Sequence, residues 1–312
     1  MAKKKLTYEE LVRLGKVREQ YMLKREALLK ETVQGLQRTV LEAVFDQLLA
    51  NMETDAGNLL NNKSNIRLIN AMDAIYDRFR NSSLKATIKT FADDLDGLFN
   101  LSRDYFRPFT GNRELFARVS DSVQSIMRAN LGIGADGRFI NNGYLDSFVK
   151  DNRILVDIKQ QLYNAVGAGN GLADTQKFFR QYIGGEPGKY NGIMQKHFDG
   201  FIYDTYAEYD RTTSDEFAKE LELECFVYAG GLIDTSRCFC IEHNGKVYTR
   251  KEAEKWRLQV GKPCGPIVSR FMVYNPLRNL GGIRCRHVPN YVTNDIAIQR
   301  RPDLEGVLKE SA

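Results

Sequence analysis

Apolar residues recur every three or four positions through the first fifty residues and predict one long helix. The pattern starts after Thr7, and Glu10 stands three residues later, which is the spacing of a capping box. No proline interrupts residues 7 to 52, so we expect a helix of nearly that length, roughly 65 Å at about 1.5 Å per residue. A helix this long is expected to pack against other helices or other subunits. The apolar positions that carry the pattern are Leu11, Leu14, Val17, Tyr21, Leu29, Val33, Leu36, Val40, Val44 and Leu48.

The helical spacing continues to about residue 222 and predicts a bundle of further helices. The glycine-rich segment LGIGADGRF is interpreted as a turn, because it lacks the preceding strand and the following Lys-Ser/Thr of a phosphate-binding loop. GAGNG at 167–171 is the predicted domain boundary, since successive glycines disfavour a helix. The predicted helical ranges are 66–99, 112–130, 143–166, 172–183 and 189–222.

The pattern changes at Cys225, where CFVYAGGLID is typical of a strand that ends in a glycine turn. We therefore predict a mainly α fold in which a long N-terminal helix and a helical bundle, residues 1–166, precede a small C-terminal α+β module. The short-stranded part of this module covers residues 225–292, and residues 293–312 are expected to form a tail. A bound metal would stabilise a module this small and loop-rich.

All five cysteines lie after residue 224, and four residues in two i, i+2 pairs are candidate metal ligands. In an extended strand, residues i and i+2 point to the same face, so Cys238 and Cys240 would project together, as would Cys285 and His287. Two facing strands would then offer three sulfurs and one nitrogen to a tetrahedral zinc ion with a structural role. Cys264, or the His243 of Cys238-x-Cys240-x-x-His243, could replace one of the four.

Two other interpretations of the cysteines stay open at the level of sequence. Free cysteine is among the most buried residue types, so the five could be simply small apolar side chains. Alternatively, Cys238 or Cys240 could form a disulfide with Cys285, which is favoured only outside a reducing compartment. No secretory segment follows the opening MAKKK, so we expect synthesis in a reducing cytoplasm.

Charge and composition restrict the partners more than the fold. The chain has 312 residues, 43% of them hydrophobic, and a net charge of +5 to which Lys3, Lys4 and Lys5 contribute. This excess permits contact with nucleic acid without requiring it. Since no run approaches the eighteen or so apolar residues of a membrane-spanning helix, we expect no membrane partner. The candidate phosphate contacts are the arginines that flank the candidate ligands, Arg237, Arg284 and Arg286.

Enzyme motifs are weak in this sequence. A zinc deaminase needs a His-x-Glu and a later Cys-x-x-Cys, and neither occurs. A nuclease of the His-Asn-His type could use His243, Asn244 and His287, although both histidines stand among the candidate zinc ligands. We therefore predict that the chain is not an enzyme and keep the zinc-containing nuclease as an alternative.

Four motifs appear in a fixed order over the last part of the chain. They are Arg211-Thr212, the strand and turn FVYAGGLIDTSRC, Asn244-Gly245-Lys246-Val247-Tyr248, and Arg284-Cys285-Arg286-His287. In this order and content, residues 172–292 resemble the C-terminal domain of phage minor head proteins, the head-morphogenesis family typified by protein F of phage Mu. The family often ends in His-Pro-Asn-Cys-Arg-Cys; here the upstream histidine is missing and a histidine stands at the last position.

The resemblance implies a structural virion component that is made in the host cytoplasm and located in the capsid interior near the portal. It implies portal and capsid proteins as partners, contact with packaged phage DNA, and several copies in an assembly that serves head assembly, DNA packaging or genome delivery. No catalysis is implied. A portal adaptor or scaffold that never touches DNA is the remaining alternative.

Overall fold

The computed structural model describes residues 7–186, 188–270 and 272–309, so Lys3, Lys4 and Lys5 lie outside the described residues. The chain is mainly helical, as the sequence predicts. The α-helices are α1 Tyr8–Gln47, α2 Lys63–Phe79, α3 Lys85–Phe106, α4 Arg113–Leu131, α5 Tyr144–Val149, α6 Arg153–Gly167, α7 Leu172–Gly184, α8 Ile193–Glu220, α9 Cys238–His243, α10 Arg250–Glu254, α11 Pro276–Asn279, α12 Asn294–Arg300 and α13 Leu304–Lys309. Short 3-10 segments cover Leu49–Asn51, Arg107–Phe109 and Lys255–Gln259, and a π-helical segment covers Arg80–Leu84.

The strands are short and antiparallel. They are β1 Thr54–Asp55, β2 Asn58–Leu59, β3 Gly185–Glu186, β4 Tyr190–Asn191, β5 Cys225–Ala229, β6 Val247–Thr249 and β7 Val288–Val292. β1 pairs with β2 and β3 pairs with β4, while β5 is the central strand of a three-stranded sheet in the order β6-β5-β7. The strand predicted at Cys225 is therefore confirmed, and it is the centre of the sheet.

The chain divides into two compact units, each built from separate stretches of sequence. The first unit contains Met1–Glu26, Asp94–Asn130 and Tyr203–Ala312, and the second contains Ala27–Asp93 and Leu131–Ile202. Residues on both sides of the predicted boundary at 167–171 thus belong to one unit. GAGNG marks only the break between α6 and α7, because glycines that end a helix do not by themselves separate two cores.

The second unit is a helical core. Its buried side chains include those on the apolar faces of α2 and α6, such as Ile69 and Met72 on α2 and Ile158 and Leu162 on α6. A face of this kind follows from the spacing of three and four residues in the sequence.

The first unit combines the three-stranded sheet with helical segments. In β5, Phe226 pairs with Tyr248 of β6 and with Tyr291 of β7, and Tyr228 pairs with Pro289. The Tyr105 hydroxyl of α3 donates to the Tyr291 carbonyl at 2.7 Å. Residues predicted as a tail instead form α12 and α13, because their apolar side chains are buried: Ile296, Ala297, Leu304 and Leu308.

The start of α1 confirms the predicted capping box. The Glu10 amide donates to the Thr7 hydroxyl and the Thr7 amide donates to the Glu10 carboxylate, both at 3.2 Å. The helix ends at Gln47, five residues earlier than predicted, and a 3-10 turn follows. Among the residues that the structure describes, no helix is long and apolar enough to cross a membrane.

Candidate metal centre

Three of the four predicted ligands meet in the first unit. Cys240, Cys285 and His287 are buried, and their ligand atoms all lie within 4.8 Å of one another. The Cys240 and Cys285 sulfurs are 3.9 Å apart, and the Cys285 sulfur is 3.8 Å from Nδ1 of His287. These three side chains could hold a metal ion.

The late pair of ligands lies outside the strands, although the sequence predicts a strand for both residues. Cys285 and His287 stand directly before β7, where alternation places both side chains on one side of the backbone. Arg211 of α8 fixes this segment, because its buried guanidinium donates to the Cys285 carbonyl at 2.9 Å and to the His287 carbonyl at 3.4 Å.

The prediction that Cys238 and Cys240 project together from a strand is wrong, and Cys238 is not a member of the cluster. Cys238 and Cys240 lie on helix α9 rather than on a strand, and two helical residues at i and i+2 point about 200° apart. Cys240 is therefore buried toward Cys285, while Cys238 is exposed and forms a disulfide with Cys264, with Cα atoms 5.3 Å apart. This pairing differs from both disulfides considered from the sequence.

Neither of the suggested substitutes joins the cluster. Cys264 is held in the disulfide with Cys238. His243 is buried on α9, its ring stacks on Phe239 with centroids 4.1 Å apart, and its Nδ1 lies 2.7 Å from the Phe239 carbonyl oxygen. Burial lowers the pKa of His243, so the ring is neutral at pH 7 and serves as a packing residue. The interpretation as a small buried apolar side chain applies to Cys225. Burial raises the pKa of its thiol to about 12.

The distances fit a tetrahedral ion of the size of zinc. With Zn–S bonds of about 2.3 Å and Zn–N bonds of about 2.0 Å, a tetrahedron has S···S edges of about 3.8 Å and S···N edges of about 3.6 Å. The distance of 3.9 Å between the two sulfurs and the distance of 3.8 Å between the Cys285 sulfur and Nδ1 of His287 match these edges to within a few tenths of an ångström. Nδ1 is thus the nitrogen of His287 that lies at a ligand distance, while Nε2 is buried without a hydrogen-bond partner among the described residues.

The two free thiols of the cluster differ in their readiness to ionise. A hydrogen bond from Cys240 holds the pKa of Cys285 well below its ordinary value, and the His287 ring and the Arg211 charge act in the same direction against burial. The pKa of Cys240 is raised, because its proton is shared with the Cys285 sulfur and its thiol is buried. The two sulfurs share a proton, and a bound cation would displace the thiol protons.

Sequence reasoning missed three residues that surround the cluster. Tyr228 of β5 has its hydroxyl 3.4 Å from the Cys240 sulfur and 3.6 Å from the Cys285 sulfur. A Cβ on Gly281 would lie 2.7 Å from the Cys240 sulfur, and one on Gly230 would lie 2.9 Å from the His287 ring. The adjacent glycine pairs at 230–231 and 281–282 were the available signal, since paired glycines often mark a close approach.

The three candidate DNA contacts lie in different surroundings. Arg237 donates to the Gly281 carbonyl at 3.1 Å, and Arg286 lies 3.7 Å from the carboxylate of Glu26. Arg284 is exposed and has a left-handed backbone with φ of 56°. A structural role beside the cluster is therefore clear for Arg237, while phosphate contact stays a prediction for all three.

Comparison with known proteins gives no relative for this chain: no family model, no curated protein and no solved structure matches it. We therefore draw the function from the geometry of the cluster and from the order of the four motifs. A set of two thiols and one imidazole at tetrahedral distances is suited to binding a soft or borderline cation. Its burial between a sheet and a short helix suits a cross-link better than an open reaction site.

Proposed function

We propose that this chain is a phage minor head protein that acts inside the capsid near the portal, in head assembly, DNA packaging or genome delivery. We further propose that zinc, held by Cys240, Cys285 and His287, stabilises its C-terminal module. The proposed role is structural, with portal and capsid proteins as partners and with contact to packaged DNA.

One observation carries the proposal: the four motifs of the resemblance meet around a single strand. Arg211 of the first motif donates to the carbonyl of Cys285 in the last one. Tyr228 of the strand motif donates its amide to the carbonyl of Lys246 in the third motif at 2.9 Å, and its hydroxyl reaches the Cys285 sulfur. Motifs that lie apart in sequence but touch in space have a common structural reason to occur together, and this supports the resemblance.

Zinc is the cation that best suits the donor set. Thiolate and imidazole ligands favour zinc over magnesium or calcium, which prefer oxygen. A cross-link between α9 and the segment before β7 joins two parts of a module whose central sheet has only three strands. Small modules gain much of their folding free energy from such ions.

Mass analysis of purified heads tests the proposed location. We expect the chain to be present in heads of the virus that encodes it, in low copy number and protected from external protease. Its absence from heads that contain the portal protein would contradict the proposal. Localisation of a labelled chain by imaging of the capsid interior would then show whether it lies near the portal.

Metal analysis tests the zinc part separately. We expect about one zinc per chain in protein purified without added metal, and loss of that zinc in Cys285→Ser together with a lower free energy of unfolding. Cys225→Ser is the matched control, because Cys225 is also a buried free thiol but lies outside the cluster. Zinc well below one per chain in the wild type, with Cys285→Ser as stable as the control, would contradict this part.

The salt dependence of DNA retention separates a DNA-contacting head protein from a pure adaptor. A protein that neutralises several phosphates loses affinity steeply between low and moderate salt, whereas an adaptor shows no retention to lose. If Arg284 contacts a DNA phosphate, Arg284→Gln should reduce the slope of log affinity against log salt concentration by about one. Arg138→Gln is the control, since Arg138 lies in a loop of the second unit and its side chain is 88% exposed.

A further inference from the structure

Tyr228 is the polar group closest to both sulfurs of the cluster. It occupies the central strand β5 and is fully buried. Its hydroxyl oxygen lies 3.4 Å from the Cys240 sulfur and 3.6 Å from the Cys285 sulfur, and its ring centroid lies 4.8 Å from that of His287. The phenol therefore contacts all three residues that could hold the ion.

The distances from the Tyr228 oxygen to the two sulfurs are those expected of the fourth ligand of a tetrahedral ion. With Zn–O bonds of about 2.0 to 2.2 Å, an oxygen ligand of a tetrahedral zinc lies about 3.5 to 3.7 Å from each sulfur ligand. The Tyr228 oxygen meets this condition for both sulfurs at once.

The surroundings leave little space for another ligand and supply compensating charge. Gly281 closes one side of the cluster, where even a methyl carbon would lie 2.7 Å from the Cys240 sulfur and 3.2 Å from the Tyr228 oxygen. Two thiolates and a phenolate on a dication carry one net negative charge. Arg211 and Arg237, whose charges act on Cys285 and Cys240 respectively, lie where they balance it.

We propose that Tyr228 is the fourth ligand, so that the phenolate oxygen of Tyr228, the sulfurs of Cys240 and Cys285 and a ring nitrogen of His287 form a closed site for a divalent ion such as zinc. This inference rests on the zinc part of the proposed function and adds the residue that completes it. On binding, the O–H bond of Tyr228 and the S–H bonds of Cys240 and Cys285 break, their protons pass to solvent, and the oxygen and the two sulfurs form bonds to the ion. A site closed by four protein ligands holds no exchangeable water, which suits a structural ion and not a catalytic one.

Zinc titration of three proteins tests the fourth ligand. Wild type, Tyr228→Phe and the control Tyr291→Phe are stripped of metal and titrated with Zn²⁺ against a chromophoric chelator, while ultraviolet absorption reports ionised tyrosine. Tyr291 is matched because it is a buried tyrosine of the same sheet, and its hydroxyl contacts Asp215 and Arg250 instead of the cluster. We expect zinc to produce a tyrosinate signal in wild type and control but not in Tyr228→Phe, and affinity to fall at least tenfold in Tyr228→Phe alone.

Three outcomes would overturn the inference, and each leaves a different part of the proposed zinc site intact or none of it. Equal zinc affinity in wild type and Tyr228→Phe would remove Tyr228 from the site and leave a three-residue site. Weaker binding by Tyr228→Phe without a tyrosinate signal in wild type would make the phenol a hydrogen-bond donor to a metal-bound sulfur. Failure of wild type to bind zinc at all would overturn both the inference and the zinc part of the proposed function. The wild-type signal needs no variant, so a poorly folded Tyr228→Phe would not prevent the decision.

Discussion

Gly281 has only a hydrogen as its side chain, and this allows the two thiols of the cluster to approach each other. The Cβ of any other residue would lie 2.7 Å from the Cys240 sulfur and 3.1 Å from the Cys285 sulfur, closer than van der Waals contact permits. The neighbouring Arg237 holds this glycine in place through its carbonyl. The glycine is thus part of the wall of the site, and its role is steric.

Gly281→Ala is expected to open the cluster. The added methyl group must push the sulfurs apart, so the zinc affinity should fall at least tenfold and the free energy of unfolding should fall by about 1 to 3 kcal/mol, the usual cost of overpacking. Zinc titration and denaturant unfolding measure the two effects. Gly35→Ala is the control, because Gly35 lies in α1 with nothing within 4 Å of its Cβ position, and alanine should be neutral or slightly stabilising there. Unchanged zinc affinity in Gly281→Ala would contradict the assigned role.

Helices with a continuous apolar pattern could be predicted from the sequence, whereas the element that carries Cys240 could not. In α1 the spacing of nine apolar positions and the Thr7–Glu10 pair agree over forty residues, so local signals determine the helix. Helix α9 has only six residues, too few to distinguish a period of two from a period of 3.6. Its residues are held in a helix by tertiary contacts, such as the edge-to-face contacts of Phe239 and His243 with Trp256.

A buried ion pair connects α1 to α8 within the first unit. The Arg18 guanidinium donates to both carboxylate oxygens of Asp210, with distances of 3.0 Å from Nε and 2.5 Å from Nη2, and both side chains are almost fully buried. Ser214 accepts a third hydrogen bond from Arg18, and Ser102 of α3 donates to Asp210. These contacts satisfy charges that the core could not hold unpaired.

Asp210→Asn is expected to lower the free energy of unfolding by about 3 to 5 kcal/mol, because it leaves the Arg18 charge buried without its partner. Asp73→Asn is the control for the same chemical change, since Asp73 pairs with Lys159 at 2.9 Å but its side chain is 58% exposed, and the loss there should be at most about 1 kcal/mol. Denaturant unfolding of the two variants provides the comparison. Similar losses in both would show that the buried pair contributes no more than a surface pair.

At the scale of the whole chain, the site is assembled from residues that no local pattern connects. Its members come from β5, α9 and the segment before β7, and Arg211 of α8 fixes the last of these. Sequence spacing identified Cys285 and His287, because both lie in one short segment before β7. It could not identify Tyr228, whose place in the site depends on the pairing of β5 with β6 and β7 and not on its neighbours in sequence.

Removal of the metal is expected to loosen the first unit around this site. If the free zinc concentration is about 100 times the dissociation constant, binding stabilises the folded state by about 2.7 kcal/mol. Amide exchange that occurs through unfolding is then roughly a hundredfold slower. Chelation should therefore speed hydrogen exchange in β5, α9 and β7, which carry or adjoin the ligands, and added zinc should restore protection. Helices α2 and α6 of the second unit contain no ligand and serve as the internal reference.

Cys285→Ser separates the effect of zinc from side effects of the chelator. This variant lacks one ligand, so its exchange in β5 and β7 should already be fast and should not respond to chelation. A chelator that removes zinc from the wild type without changing exchange in these strands would show that the ion does not stabilise the sheet. A response is expected because an ion held by Cys240, Cys285 and His287 would bind only the folded arrangement of α9 and the segment before β7, and so would stabilise it.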